Sequence, residues 1–104
     1  MSLKSEGEEV LAIHLRELGL RFLRKQRVCE ERKWEWDFYS PDLRMSIEVD
    51  GFFKGRHGKG WGSDYEKQNF GIMNGIRVLR FTSTQAKNGD AKEFLRSWLA
   101  KETK

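Results

Sequence analysis

Two short segments alternate strictly between apolar and polar residues, Trp34-Glu35-Trp36-Asp37-Phe38-Tyr39 and Met45-Ser46-Ile47-Glu48-Val49-Asp50, with Gly51 after the second. Side chains on a strand repeat with a period of two, so each segment reads as a strand with one apolar face. Ser40-Pro41-Asp42 lies between them, and proline fits the second position of a tight turn because its φ is already set. The pair is therefore expected to be a hairpin. Trp34, Trp36 and Phe38 should share one face of the first strand, and Met45, Ile47 and Val49 one face of the second. Asp37, Glu48 and Asp50 then share the opposite face. Like charges on neighbouring strands repel, so three carboxylates there call for a compensating cation. A hard divalent metal is the first candidate.

The rest of the chain reads as a single α/β unit over residues 5–101. Ser5-Glu6-Gly7-Glu8 has the form of a capping box. Val10, Leu11, Ile13, Leu15 and Leu18 continue it as an apolar helical stripe, and Gly19 is a natural stop. A strand is expected from Leu20 to Cys29, with Glu30-Glu31-Arg32 as a turn before the hairpin. Gly51 to Gly62 is glycine-rich and basic, which reads as a loop. Ser63 can cap a helix running to about Asn74, ended by Gly75. Ile76 to Phe81 is a short strand, and Ala91 to Lys101 an amphipathic helix carrying Phe94, Leu95, Trp98 and Leu99. The order is αβββαβα, and no element is assigned between Phe81 and Ala91.

Charge and cysteine content narrow the class. The 104 residues carry a net charge of +4, and the basic residues are clustered. Arg21, Arg24, Lys25, Arg27, Arg32 and Lys33 crowd one stretch, and Lys54, Arg56, His57 and Lys59 another. Basic runs interleaved with aromatics suit a phosphate backbone, although charge alone also fits a solvated surface. Trp61 and Phe52 or Phe53, flanked by glycines, could stack on bases. No apolar run approaches the roughly 20 residues of a membrane-spanning helix, and no charged-then-apolar signal pattern occurs. The single cysteine, Cys29, fits a reducing, cytoplasmic setting.

Within the hairpin, Asp37 is expected opposite Ser46 or Ile47, with Glu48 beside it or diagonal. Such neighbours have Cβ separations of roughly 5 to 8 Å. One metal ion with oxygen ligands at roughly 2.0 to 2.6 Å can bridge that span. Magnesium held there can activate a water and stabilise charge on a phosphate. The alternative for such acids is a solvated strand face. Against it, the acids lead directly into a loop rich in glycines and cations.

Five motifs in order carry a resemblance: Asp37-Phe38, Glu48-Val49-Asp50-Gly51, Gly55-Arg56-His57, Asp64-Tyr65-Glu66-Lys67-Gln68-Asn69 and Val78-Leu79-Arg80-Phe81-Thr82. With the αβββαβ order they resemble the PD-(D/E)XK nuclease superfamily, and within it the small very-short-patch-repair-like and phage or bacterial endonuclease-like domains. The resemblance implies a restriction-endonuclease-like core, a mixed sheet flanked by helices. It implies a magnesium-dependent DNA endonuclease, with manganese as a substitute. Asp37 and Glu48 would be metal ligands, and Glu8 the acid that many members place on the first helix.

One position departs from the pattern. Two residues after the glutamate the motif has a lysine, whereas this chain has Asp50. Asp50 is then either a further metal ligand or a residue that positions a water or a nearby base. The missing positive charge would come from Lys67 or His57. Arg24, Lys25, Lys54, Arg56, His57, Lys59 and Arg80 are the candidate contacts to DNA. Two cuts in a duplex are compatible with a homodimer. The rival reading, supported by the absent lysine, is a degenerate nuclease fold that binds nucleic acid without cutting it.

Overall fold

A computed structural model describes residues 6–50 and 60–102. Helix α1 (Glu6–Glu17) is followed by strands β1 (Leu23–Arg27), β2 (Glu35–Ser40) and β3 (Met45–Asp50). Helix α2 (Gly60–Met73), strand β4 (Arg77–Thr82), and helices α3 (Ser83–Asn88) and α4 (Asp90–Glu102) complete the chain. The sheet order is β1-β2-β3-β4. The first two pairings are antiparallel and β3–β4 is parallel, so α2 lies in the crossover between parallel strands. This is a mixed α/β sheet with helices on both sides.

The hydrophobic effect accounts for one side. Leu11, Ala12 and Leu15 of α1, Ala86 of α3, and Ala91 and Leu95 of α4 close over Phe38, Met45, Ile47, Val49 and Phe81 of the sheet. Strand β3 is buried from Met45 to Val49, as expected for a central strand covered on both faces. In α1 the apolar stripe is narrower than expected, because Ile13 faces solvent. Gly19 and Gly75, with φ of 80° and 82°, let the chain leave α1 and α2 in the left-handed conformation.

Several boundaries differ from the sequence reading. β1 is half the expected length. α2 begins at Gly60, so the end of the expected loop is helical and Ser63 lies within the helix rather than capping it. The unassigned stretch holds α3. Its N-cap Thr82 accepts from the Gln85 N–H while the Gln85 side chain accepts from the Thr82 N–H, a full capping box.

The hairpin itself holds two corrections. Phe38 pairs with Ile47 and Tyr39 with Ser46, so the register places Asp37 directly against Glu48 rather than against Ser46 or Ile47. The apolar residues of β2 also do not share one face. Phe38 joins the core under α1, whereas Trp36 packs against α2, where a Cβ on Gly71 would lie 2.7 Å from its ring. Trp34 lies on the α2 side too, 6.0 Å from Phe70 between ring centres. The changeover falls at Asp37. Across the sheet, Arg24 pairs with Phe38 and Gln26 with Trp36, and Lys25 between them has a φ of 54°. A lysine in that left-handed region costs roughly 1–2 kcal/mol, and it stands in register with Asp37, where β2 changes face.

Candidate active site

Asp37 and Glu48 sit where the β2–β3 ladder stops. Beyond Phe38–Ile47, carboxylates take over from main-chain carbonyls. The Asp37 N–H donates to Glu48 Oε2 at 2.9 Å, and the Val49 N–H donates to Asp37 Oδ2 at 2.9 Å. Backbone donors inside a fold must find partners, and here the two acids supply them. Each carboxylate is thereby held in one orientation by the strand that carries the other.

Lys67 reaches this point from α2. Its Nζ is 2.6 Å from Glu48 Oε1 and donates to the Glu35 carbonyl at 2.9 Å. The ammonium also lies 5.3 Å from the centre of the Trp36 ring, within cation–π range. Both charged side chains are nearly sealed from solvent, at 9% exposure for Lys67 and 5% for Glu48. Gly71, one helical turn after Lys67, is what lets α2 approach this closely. Burial pushes the Glu48 carboxyl above its ordinary value, and the neighbouring Asp37 charge adds to the rise. Lys67 and the Asp37 N–H pull in the other direction without cancelling it.

The first helix contributes from the opposite side. Lys25 Nζ lies 3.3 Å from Glu8 Oε1 and 3.5 Å from Asp37 Oδ1, so it bridges the helix acid to the strand acid. Burial alone would lower the Lys25 ammonium, but Asp37 and Glu8 together raise it. Arg24 grips Glu9 through two bonds of 2.9 and 3.3 Å and passes 3.6 Å from Glu8. Glu8 is thus brought beside Asp37, with a lysine between them.

Asp50 has a different setting. Arg80 binds it through two nitrogens, Nε at 3.2 Å and Nη2 at 2.7 Å. The compensating charge expected for the three acids is supplied to each by the protein. Glu48 faces Lys67, Asp37 faces Lys25, and Asp50 faces Arg80, each with a protein cation of its own. Among the described residues no group of three or more histidine, cysteine, aspartate or glutamate side chains could hold a metal ion. Of the candidate DNA contacts, Arg24, Lys25 and Arg80 are engaged in these pairs. Lys54, Arg56, His57 and Lys59 lie outside the described residues, as do Ser5, Phe52 and Phe53.

Sequence reasoning brought Glu8, Asp37, Glu48 and Lys67 forward, and the fold gathers them. Glu9, the fallback for Glu8 as the helix acid, is instead the partner of Arg24, and Gln68, a weaker candidate beside Asn69, has a definite partner. Gln68 accepts from Arg80 Nη1 at 3.1 Å. Its place in the Asp-Tyr-Glu-Lys-Gln-Asn run, next to Lys67, was the available signal.

Compared with known proteins, the chain matches no family model and no curated protein. Among solved structures it is similar to the catalytic domain of the homing endonuclease I-Bth0305I. The two superpose with a TM-score of 0.73 over 93% of this chain and 97% of that domain, at 21% sequence identity. The chain shares the fold of that domain. At this identity the likeness speaks for the fold, and the chemistry has to be argued from the residues.

No helix among the described residues is long and apolar enough to cross a membrane.

Proposed function

We propose that this chain is a DNA endonuclease domain that hydrolyses phosphodiester bonds with a divalent metal held at Asp37 and Glu48. One observation carries the reading. Two carboxylates are locked in place by each other's strand, with a buried lysine 2.6 Å from one of them. The similarity in fold to a homing endonuclease catalytic domain supports it.

The donor set suits magnesium. That ion prefers hard oxygen ligands, keeps several waters, and is usually held by one or two carboxylates together with substrate phosphate. Two acids are therefore enough, and Glu8 stands close by to share the load. When bound, the metal would polarise a phosphate oxygen and lower the pKa of an attacking water. The protein's own part is placement. Asp37 and Glu48 present oxygens whose direction is fixed by main-chain N–H groups. Lys67 supplies the positive charge that the motif position now held by Asp50 lacks, and it can stabilise negative charge developing on the phosphate. The cationic residues Lys54, Arg56, His57 and Lys59 are proposed to hold the DNA backbone, so affinity should fall steeply with salt.

The test is cleavage of plasmid DNA with magnesium or manganese. Wild-type protein is expected to cut, and Asp37→Ala and Glu48→Ala to fall to background while still melting cooperatively. Undiminished cutting by either variant would sink the proposal, as would an inert wild type.

A second reading is favoured by the ion pairs. Because Glu48, Asp37 and Asp50 already have protein cations, the site is charge-compensated without a metal. A degenerate nuclease fold that binds DNA would look like this. It predicts salt-sensitive DNA binding indifferent to magnesium, no strand scission, and no heat of metal binding in a calorimetric titration at low millimolar concentration.

A further inference from the structure

Arg80 stands beside the proposed centre without a part in its chemistry. It lies on β4 in direct register with Glu48 on β3, so both project to the face covered by α2. Its guanidinium joins three residues. Nε and Nη2 hold Asp50, Nη1 donates to Gln68 Oε1, and Nη2 comes within 4.0 Å of Asp64 Oδ2. Asp64 and Gln68 are four residues apart on α2 and so lie on one helix face. Lys67 immediately precedes Gln68.

We propose that Arg80, anchored on Asp50, is the positioning residue that sets α2 against the sheet so that the Lys67 ammonium meets Glu48. The proposal rests on the nuclease reading above, and in it Asp50 serves to fix Arg80. Three features favour positioning over direct contact with DNA. Three guanidinium nitrogens are committed to protein partners. The planar fork matches the Asp50 carboxylate through two parallel bonds, a geometry that a lysine cannot reproduce. Burial works against the Arg80 charge, yet Asp50, Glu48 and Asp64 more than restore it, so the cation is stabilised by the cluster it ties together. Catalytic groups displaced by about 1 Å lose on the order of a hundredfold in rate. A helix-to-sheet clamp one residue from the working lysine governs displacements of that size.

The experiment uses Arg80→Lys and Gln68→Ala, each also made in a Lys67→Met background. Arg80→Lys keeps the charge and loses the fork. It is expected to lower kcat by about 10- to 100-fold, with KM and the salt dependence of DNA binding unchanged. Gln68→Ala leaves the Asp50–Arg80 pair intact and should lower kcat less, in the same direction. In the Lys67→Met background neither change should cost anything further, because the group being positioned is gone. A raised KM with a salt slope reduced by about one would make Arg80 a phosphate contact and overturn the proposal. Losses that add to that of Lys67→Met, or an unchanged kcat, would also overturn it.

A second readout needs neither metal nor DNA. Trp36 lies under the Lys67 ammonium, so its ring resonances report where that charge sits. Arg80→Lys and Gln68→Ala should both move them in the direction that Lys67→Met does. If wild-type protein cuts no DNA, the nuclease reading fails, and these resonances still decide whether Arg80 places Lys67. Resonances that stay still in Gln68→Ala, which removes only the Arg80–Gln68 link of the cluster, refute the clamp outright.

Discussion

Under α1, α3 and α4 the sheet is covered by leucine, alanine, methionine, valine and phenylalanine, with no charged side chain in the cluster. Under α2 the buried side chains are Trp36, Ser46, Glu48 and Lys67. The first face is stabilised by removing apolar area from water, about 25 cal/mol for each Å². The second face buries two charges, whose desolvation can cancel what their attraction gains. One sheet therefore carries its apolar core on one side and its buried lysine–glutamate pair on the other, with β3 serving both. Val49 and Ile47 face the core, while Glu48 between them faces the site.

The largest effect that would break this comparison is expected on the apolar face. Leu15 is fully buried, and Leu15→Ala should cost roughly 2–5 kcal/mol, as large-to-small changes in packed cores do. Cleavage per folded molecule should be unchanged at a temperature where the variant is folded. Chemical denaturation paired with a cleavage assay checks both. A Leu15→Ala protein that stays stable but loses kcat would mean that the two faces are not separable.

Gly71→Ala probes the other face at a smaller cost in stability. The new Cβ would lie 2.7 and 2.9 Å from Trp36 ring carbons, and a buried indole has no flexible end to move aside. Overpacking of this kind typically costs about 1–3 kcal/mol. The relief available is to lift α2, which carries Lys67 away from Glu48. Cleavage should therefore fall further than the stability loss explains. If kcat tracks only the folded fraction, α2 is not the element that sets the site.

How much of this was legible follows from range along the chain. The hairpin, its acids and the apolar periodicity of α1 and α4 are local patterns, and they could be read directly. The switch of face at Asp37 could not, because it coincides with a left-handed backbone at Lys25 on the neighbouring strand, which no periodicity encodes. The partner of Asp50 lies 30 residues away on β4, a pairing that only the parallel β3–β4 register creates. The apparent excess of carboxylates followed from reading the acids without their cations, which arrive from α1's neighbour β1, from α2 and from β4. Helix α3 is a different case. Thr82, Gln85 and Gly89 spell a start and a stop, yet six residues are too few to show a helical period.

The smallest effect expected concerns protons. The folded protein holds the Glu48 proton more tightly than the unfolded chain does, since burial and Asp37 raise its pKa. A raised carboxyl contributes stability that is fully present below the unfolded value and is lost as pH rises through the folded one. The overall stability curve will not show this directly. Glu17, lowered by its bond to Lys92, and Asp42, lowered by its bond to Arg21, have the opposite dependence and lose stability as pH falls. Comparison with Glu48→Gln isolates the term, because the amide cannot titrate yet still accepts from the Asp37 N–H. Wild-type stability measured against that variant, free of metal, should be constant near neutral pH. It should then rise as pH falls through the raised Glu48 value, and level off below the ordinary glutamate range. A difference that shrinks in acid would mean that Lys67 dominates Glu48, and that the α2 face holds a self-sufficient ion pair rather than a strained acid awaiting a partner.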